Sequence, residues 1–181
     1  MKKNVLVLTG SPRKGGNSDL MAEAFIEGAN KAGHEVVKFE TAAKNINGCR
    51  ACNTCFSKGV ACSFNDDFNE LAPLLELSDV IVFATPLYWY SFSSQIKAAI
   101  DKMYSLFIGK RPLKIKECLL LACCEEEDEK VFDGIIKSYE LIAHLLKWNN
   151  RGQLTVPGVN KKGDILNTNA LEKAKSLGLS L

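Results

Sequence analysis

Five short apolar segments alternate with stretches of helical periodicity, and this alternation restricts the chain to few folds. The segments are NVLVLT (residues 4–9), EVVKFE (35–40), DVIVFAT (79–85), KECLLLAC (116–123) and GQLTVP (152–157). The first, third and fourth are near-continuous runs of valine, leucine, isoleucine and alanine, the pattern of strands buried on both faces. Between the first two, Leu20, Met21, Ala24, Phe25 and Ala29 recur on one helical face, with Ser18 placed to cap the helix and Gly33 to end it. A second helix is expected from Asp66 to Leu77, with acids in its first turn. A third, near 93–104, would bury Ile96, Ile100 and Met103, and a fourth Phe132, Ile135, Ile136, Tyr139, Ala143 and Leu146. A last helix covers 169–179. Strands alternating with helices imply a parallel sheet covered on both faces, and right-handed crossovers prune its topologies. The expectation is an α/β fold of one domain, residues 1–181: a doubly wound, five-stranded parallel sheet in the order 2-1-3-4-5.

In that order, ligands bind beyond the carboxyl ends of strands one and three. The loop after strand one is GSPRKGGNS, Gly10 to Ser18. It lies between a strand and a helix N-terminus, where free N–H groups and the positive end of the helix dipole favour an anion. Ser11 and Ser18 add hydroxyls, Asn17 an amide and Arg13 a fork of charged donors, while Gly15 and Gly16 let the backbone curl closely. A phosphate is the expected ligand. The Walker pattern is not met, because Gly15 is followed by Gly16 and Asn17. The spacing from Gly10 does not make a dinucleotide fingerprint either. A mononucleotide such as FMN remains. The loop after strand three, TPLYWYSFSSQIKAAIDKM, places apolar and aromatic groups at the matching strand end. Pro86, Leu87, Tyr88 and Trp89 are expected beside a flat, mostly apolar ring, with Tyr90 and Phe92 packing elsewhere. Cys123, at the end of strand four, is a further candidate for the same pocket.

Charge argues against some classes of function. A net charge of +2 gives no strong field for nucleic acid, and no basic stripe is interleaved with aromatics. Lys161 and Lys162 read as solvated loop residues. No run of ~18 apolar residues suggests a membrane span, and the run after Met1 ends at Leu8, too short for a secretion signal. The expected location is the cytoplasm, where the seven cysteines would stay largely reduced.

Four of those cysteines crowd into CRACNTCFSKGVAC. Cys49, Cys52, Cys55 and Cys62 supply enough thiolates for one [4Fe–4S] cluster, the close triplet wrapping three corners. A structural zinc site more often uses two separated C-x2-C pairs. Metal-free thiols and zinc both remain open.

GSPRKGGNS, TPLYWYSFSSQIKAAIDKM and the late VPGVNKKGD together resemble the NADPH-dependent FMN reductase family of flavodoxin-like proteins. The resemblance implies FMN as cofactor, with Ser11, Arg13, Asn17 and Ser18 at its phosphate and Pro86 to Trp89 at its ring. Ala122 to Glu125 would form the third cofactor loop. The cysteine motif is similar to that of iron–sulfur flavoproteins. The implied activity is NAD(P)H oxidation with a small acceptor such as a quinone or free flavin. The alternative is an electron carrier linking FMN, a [4Fe–4S] cluster and a ferredoxin-like partner. A third reading is a binding module without flavin. The resemblance also implies a homodimer or higher homo-oligomer, and neither histidine, His34 or His144, is expected to act in catalysis.

Overall fold

The structure is a computed structural model describing residues 1–181. Its centre is a five-stranded, all-parallel sheet of order β2-β1-β3-β4-β5. The strands are β1 (Asn4–Thr9), β2 (Glu35–Glu40), β3 (Val80–Pro86), β4 (Glu117–Cys123) and β5 (Asn149–Val156). The helices are α1 (Asn17–Lys31), α2 (Thr54–Lys58), α3 (Phe68–Leu77), α4 (Ser94–Lys102), α5 (Tyr104–Ile108), α6 (Asp133–Leu146) and α7 (Ala170–Leu179).

The period of two along each strand divides the core into two layers. Val5, Val7, Val82, Ala84, Leu119, Leu121 and Cys123 point to α1 and α7, and join Met21, Phe25, Ala29, Ala170 and Ala174. Leu6, Leu8, Ile81, Phe83, Cys118, Leu120 and Ala122 point the other way, against Leu71, Ile96, Phe132, Ile135 and Tyr139. Both faces of the central strands are therefore dry, which is why their sequences are apolar throughout.

Several boundaries differ from the sequence reading. The first helix begins at Asn17 with Gly16 as its N-cap residue, so Ser18 lies buried inside the first turn and caps nothing. The helix expected from Asp66 starts at Phe68. Asp66 and Asp67 occupy the preceding turn instead, where the Asp66 carboxylate accepts the Phe68 N–H at 3.1 Å. The expected single helix over 93–104 is two. Met103 N–H is shared between the carbonyls of Ala99 and Ile100, a tightening that ends α4, and α5 restarts at Tyr104. β5 starts three residues earlier than its apolar run. Its register with β4 jumps from Cys118↔Asn150 to Leu120↔Gln153, so Arg151 and Gly152 together face one β4 residue. Gly152, at φ 142°, supplies the backbone of this bulge. No helix is long and apolar enough to cross a membrane.

Candidate functional site

The carboxyl ends of β1, β3 and β4 open into a cleft of about 950 Å³, within the size range of small-molecule and cofactor sites. All ten residues expected at a cofactor line it: Ser11, Arg13, Gly16, Asn17, Ser18, Pro86, Leu87, Tyr88, Trp89 and Cys123. Tyr90 and Phe92, expected to pack elsewhere, line it too. Phe92 does both, since its buried ring stands edge-on to Phe83 with centroids 5.5 Å apart.

The β1–α1 loop is a tight cradle. Gly16 N–H donates to the Arg13 carbonyl at 2.9 Å, and Arg13 N–H to Ser11 Oγ at 3.1 Å. Gly15 has φ +65°, and a Cβ at Gly16 would come within 2.9 Å of the Arg13 carbonyl, so the loop needs both glycines. The first-turn N–H groups of α1, from Asn17 and Ser18, have no carbonyl one turn back to bond. Both residues line the cleft together with Arg13, a combination that suits an anion. Asp19 is the one carboxylate in this turn. It accepts the Gly15 N–H at 2.7 Å and pairs with Lys38 at 2.6 Å, so its charge is turned back into the fold. Burial opposes the charge on Lys38, but Asp19 and Glu23 outweigh it and raise its pKa.

Asn17 has a further task, one that the sequence does not show. Its Oδ1 accepts the N–H groups of Gly163 (3.1 Å) and Ile165 (3.3 Å), and its Nδ2 donates to the Lys161 carbonyl (3.0 Å). The side chain therefore binds the segment after β5 to the head of α1, leaving its main-chain N–H for an anion. Lys162 lines the cleft, whereas it read as a solvated loop lysine. The VPGVNKKGD motif was the available signal, but nothing in it placed the segment against Gly15.

The β3–α4 loop forms the opposite wall. Leu87 N–H bonds the Cys123 carbonyl at 2.8 Å, which locks this loop to the end of β4. Tyr88 and Ser91 then pair reciprocally, at 3.2 and 3.1 Å, around Trp89 and Tyr90. Both central residues have positive φ, 48° and 61°, the signature of a type I′ turn, which usually takes Asn and Gly. An aromatic pair in left-handed backbone is strained, and such strain collects at ligand sites. Trp89 stands 93% exposed at the cleft's rim. In the same cleft the pKa of the Cys123 thiol is pushed up to about 12 by burial and then by Cys124, so it presents a neutral, apolar surface at ordinary pH. Glu125 and Glu126 complete this end.

The four clustered cysteines lie elsewhere, on the loop between β2 and α3. All four line a second, small cavity of about 30 Å³, together with Lys102 and Tyr104. No set of three converges as a metal-ligand group does. Thr54 hydrogen bonds lower the pKa of Cys52, whereas burial raises that of Cys55. The base of the loop is closed by hydrogen bonds between its two ends. Asp67 N–H donates to the Asn45 carbonyl (3.1 Å), Asn45 N–H to the Asp67 carboxylate (2.7 Å), and Asn47 N–H to Asp66 (3.1 Å). Asp66 in turn forms a buried ion pair with Lys102 of α4. The short α2 sits inside this loop with Asn53 and Gly59, both left-handed, at its ends.

Comparison with known proteins places this architecture. Residues 3–127 match the family described as NADPH-dependent FMN reductase. An iron–sulfur flavoprotein of Archaeoglobus fulgidus is 41% identical over 105 residues, covering 58% of this chain and 46% of its own. The chain spans about half the length of the curated iron–sulfur flavoproteins it first matches. YwqN of Bacillus subtilis is 24% identical over 168 residues, 90% of this chain and 88% of its own. Among solved structures, an NAD(P)H:quinone oxidoreductase from Methanothermobacter marburgensis superposes with a TM-score of 0.78 at 18% identity, over 99% of this chain and 96% of its own.

Proposed function

The chain belongs to the NADPH-dependent FMN reductase family, and from that premise we propose that it is a single-domain FMN-dependent NAD(P)H oxidoreductase acting on a small acceptor such as a quinone or a free flavin. One observation carries the reading: a single cleft joins an anion cradle at the head of α1 to an aromatic, apolar wall. FMN has those two ends, a phosphate and a flat ring. The cradle suits a phosphate, because the glycines at 15 and 16 allow a close bend in which a Cβ would crowd Lys162 and the Arg13 carbonyl. Arg13, Ser11 and the first N–H groups of α1 would hold it. Pro86, Leu87, Tyr88 and the buried Cys123 would shape the ring pocket, and the exposed Trp89 would shield one edge from water. FMN, when bound, supplies the hydride and electron chemistry. The residues around it bind, orient and exclude water, and none is assigned a proton-transfer role. The protein acts in the cytoplasm as a homodimer or larger homo-oligomer in this reading, with the aromatic rim of Tyr88, Trp89 and Tyr90 at the subunit contact.

The test is to titrate FMN into the purified chain and then follow NADH and NADPH oxidation with quinones and free flavin. The expected outcome is a yellow complex that turns over at least one donor–acceptor pair. Arg13→Ala should weaken FMN binding by about ten-fold or more, since one charge-assisted hydrogen bond contributes ~1.5–3 kcal/mol. A chain that takes up no FMN would end the reading.

The shared cysteine cavity favours a second reading, an iron–sulfur flavoprotein in which Cys49, Cys52, Cys55 and Cys62 hold a [4Fe–4S] cluster and a ferredoxin-like protein exchanges electrons with it. Four thiols on one cavity, on a loop already closed at its base, are its support. Anaerobic purification with iron and sulfide analysis separates the two, with about four irons per chain expected for the second.

A further inference from the structure

We propose that Lys162, on the segment after β5, is the second cation of the anion site, and that Asn17 is the positioning residue that holds it there; the proposal rests on the FMN reading above. Lys162 lies beyond residues 3–127, the part of the chain that matches the family. Its role follows from where the fold brings it. A methyl group on Gly15 would sit 3.2 Å from Lys162 Cε and 3.3 Å from its Nζ, so the ammonium lies against the glycine bend of the cradle. Lys162 and Arg13 line the same cleft, and neither takes part in an ion pair within the chain. The third cation there, Lys97, is already paired with Asp101 at 2.6 Å. Two cations outside any ion pair thus line the cleft together with the head of α1, where a phosphate would balance them, while the acids of the same cleft, Glu125 and Glu126, follow β4.

The segment is built to keep Lys162 in place. Asn17, first residue of α1, grips the backbone on both sides of Lys162, at Lys161 and at Gly163, and again at Ile165. Asp164 accepts the N–H groups of Asn160 (3.0 Å) and Lys161 (2.6 Å), and Ile165 is buried against the α1 face of the sheet. Val159 N–H bonds the Cys124 carbonyl at 2.8 Å, which fixes the other end of the segment to the residue that follows β4. The cradle is therefore shared by two distant parts of the chain, and the later part reads the phosphate rather than the ring.

Isothermal titration of the full chain with FMN and with riboflavin, which lacks the phosphate, tests this. Lys162→Gln should weaken FMN by about ten-fold or more, the loss of one charge-assisted contact, and leave riboflavin unchanged. Lys162→Arg should restore most of the FMN affinity, and Lys161→Gln should leave it intact. Asn17→Ala should weaken FMN and gain little further loss from Lys162→Gln, since both act on one contact. The proposal is overturned if FMN binds Lys162→Gln as it binds the wild type, or if riboflavin falls in parallel with FMN. A wild-type chain that binds neither ligand overturns the FMN reading and this proposal together. Binding of FMN by wild type and Lys162→Gln alike overturns this proposal alone.

Discussion

Trp89 shows how a single residue can reveal a site. It has φ +48°, beside Tyr90 at +61°, and its side chain is almost wholly in solvent. Left-handed backbone costs a non-glycine residue roughly 1–2 kcal/mol, and an exposed ring recovers none of that by packing. Trp89→Gly should relieve that strain while adding ~0.4–1 kcal/mol of unfolded-state entropy, so chemical denaturation should show stability unchanged or slightly raised. FMN affinity should fall several-fold in the same variant. A clear loss of stability would mean that Trp89 serves the fold instead. The aromatic lining of the cleft was legible in the sequence because these residues follow a proline at a carboxyl strand end. The bend of the chain at Trp89 and Tyr90 was not legible, since neither residue type announces a left-handed turn. Asn17 was half legible. Its place at the head of α1 was visible, but the backbone it grips is 144 to 148 residues away. A short polar side chain in a cradle and one tying down a distant loop look identical in sequence.

At the scale of elements, the strands were readable because burial on both faces leaves almost no choice of residue. β5 was misjudged at its start because Asn149, Asn150 and Arg151 are polar and exposed, at the edge of the sheet where one side lacks a neighbour. α2 escaped notice because five residues carry no period. The crossing of α1 with α7 was equally hidden. A Cβ on Gly178 would lie 2.2 Å from the Phe25 carbonyl oxygen, and one on Gly28 2.1 Å from that of Lys175, so the two helices touch backbone to backbone. Helix propensity alone would make Gly178→Ala stabilising by ~1 kcal/mol. The clash is with main chain, which cannot swing aside, and overpacking of this kind costs ~1–3 kcal/mol. The variant should therefore lose stability in a urea melt. FMN affinity should hold, because Gly28 lies eleven residues from Asn17, roughly 16 Å along α1. A stabilised variant would show that the helices can separate freely.

Over the whole molecule, α4 links the two cavities. Ser94 at its start lines the cleft, and Lys102 at its end lines the cysteine cavity, eight residues or roughly 12 Å on. Lys102 is almost fully buried, with its ammonium on Asp66, whose carboxylate also takes the N–H groups of Asn47 and Phe68. Asp66 thus pins both ends of the cysteine loop to the helix that begins at the cleft. Burial works against the Asp66 charge, but Lys102 and the two N–H groups outweigh it, and its pKa falls below the ordinary 3.8. A carboxyl depressed in the fold adds stability above its unfolded pKa and loses it as pH drops through the folded value. The wild type should accordingly hold its stability at neutral pH and shed this contribution only below about pH 4. Lys102→Met leaves the carboxylate buried without a counter-charge and should cost ~3–5 kcal/mol at pH 7. In that variant only the Asn47 and Phe68 N–H groups still oppose burial, so the Asp66 pKa rises above its wild-type value and the deficit should shrink as the pH is lowered and the group becomes neutral. Lys102→Met with Asp66→Asn, measured in urea melts from pH 4 to 8, should recover much of the loss and flatten the pH dependence. If the single variant were as stable as the wild type at pH 7, the pair would not be what fastens the cysteine loop to α4.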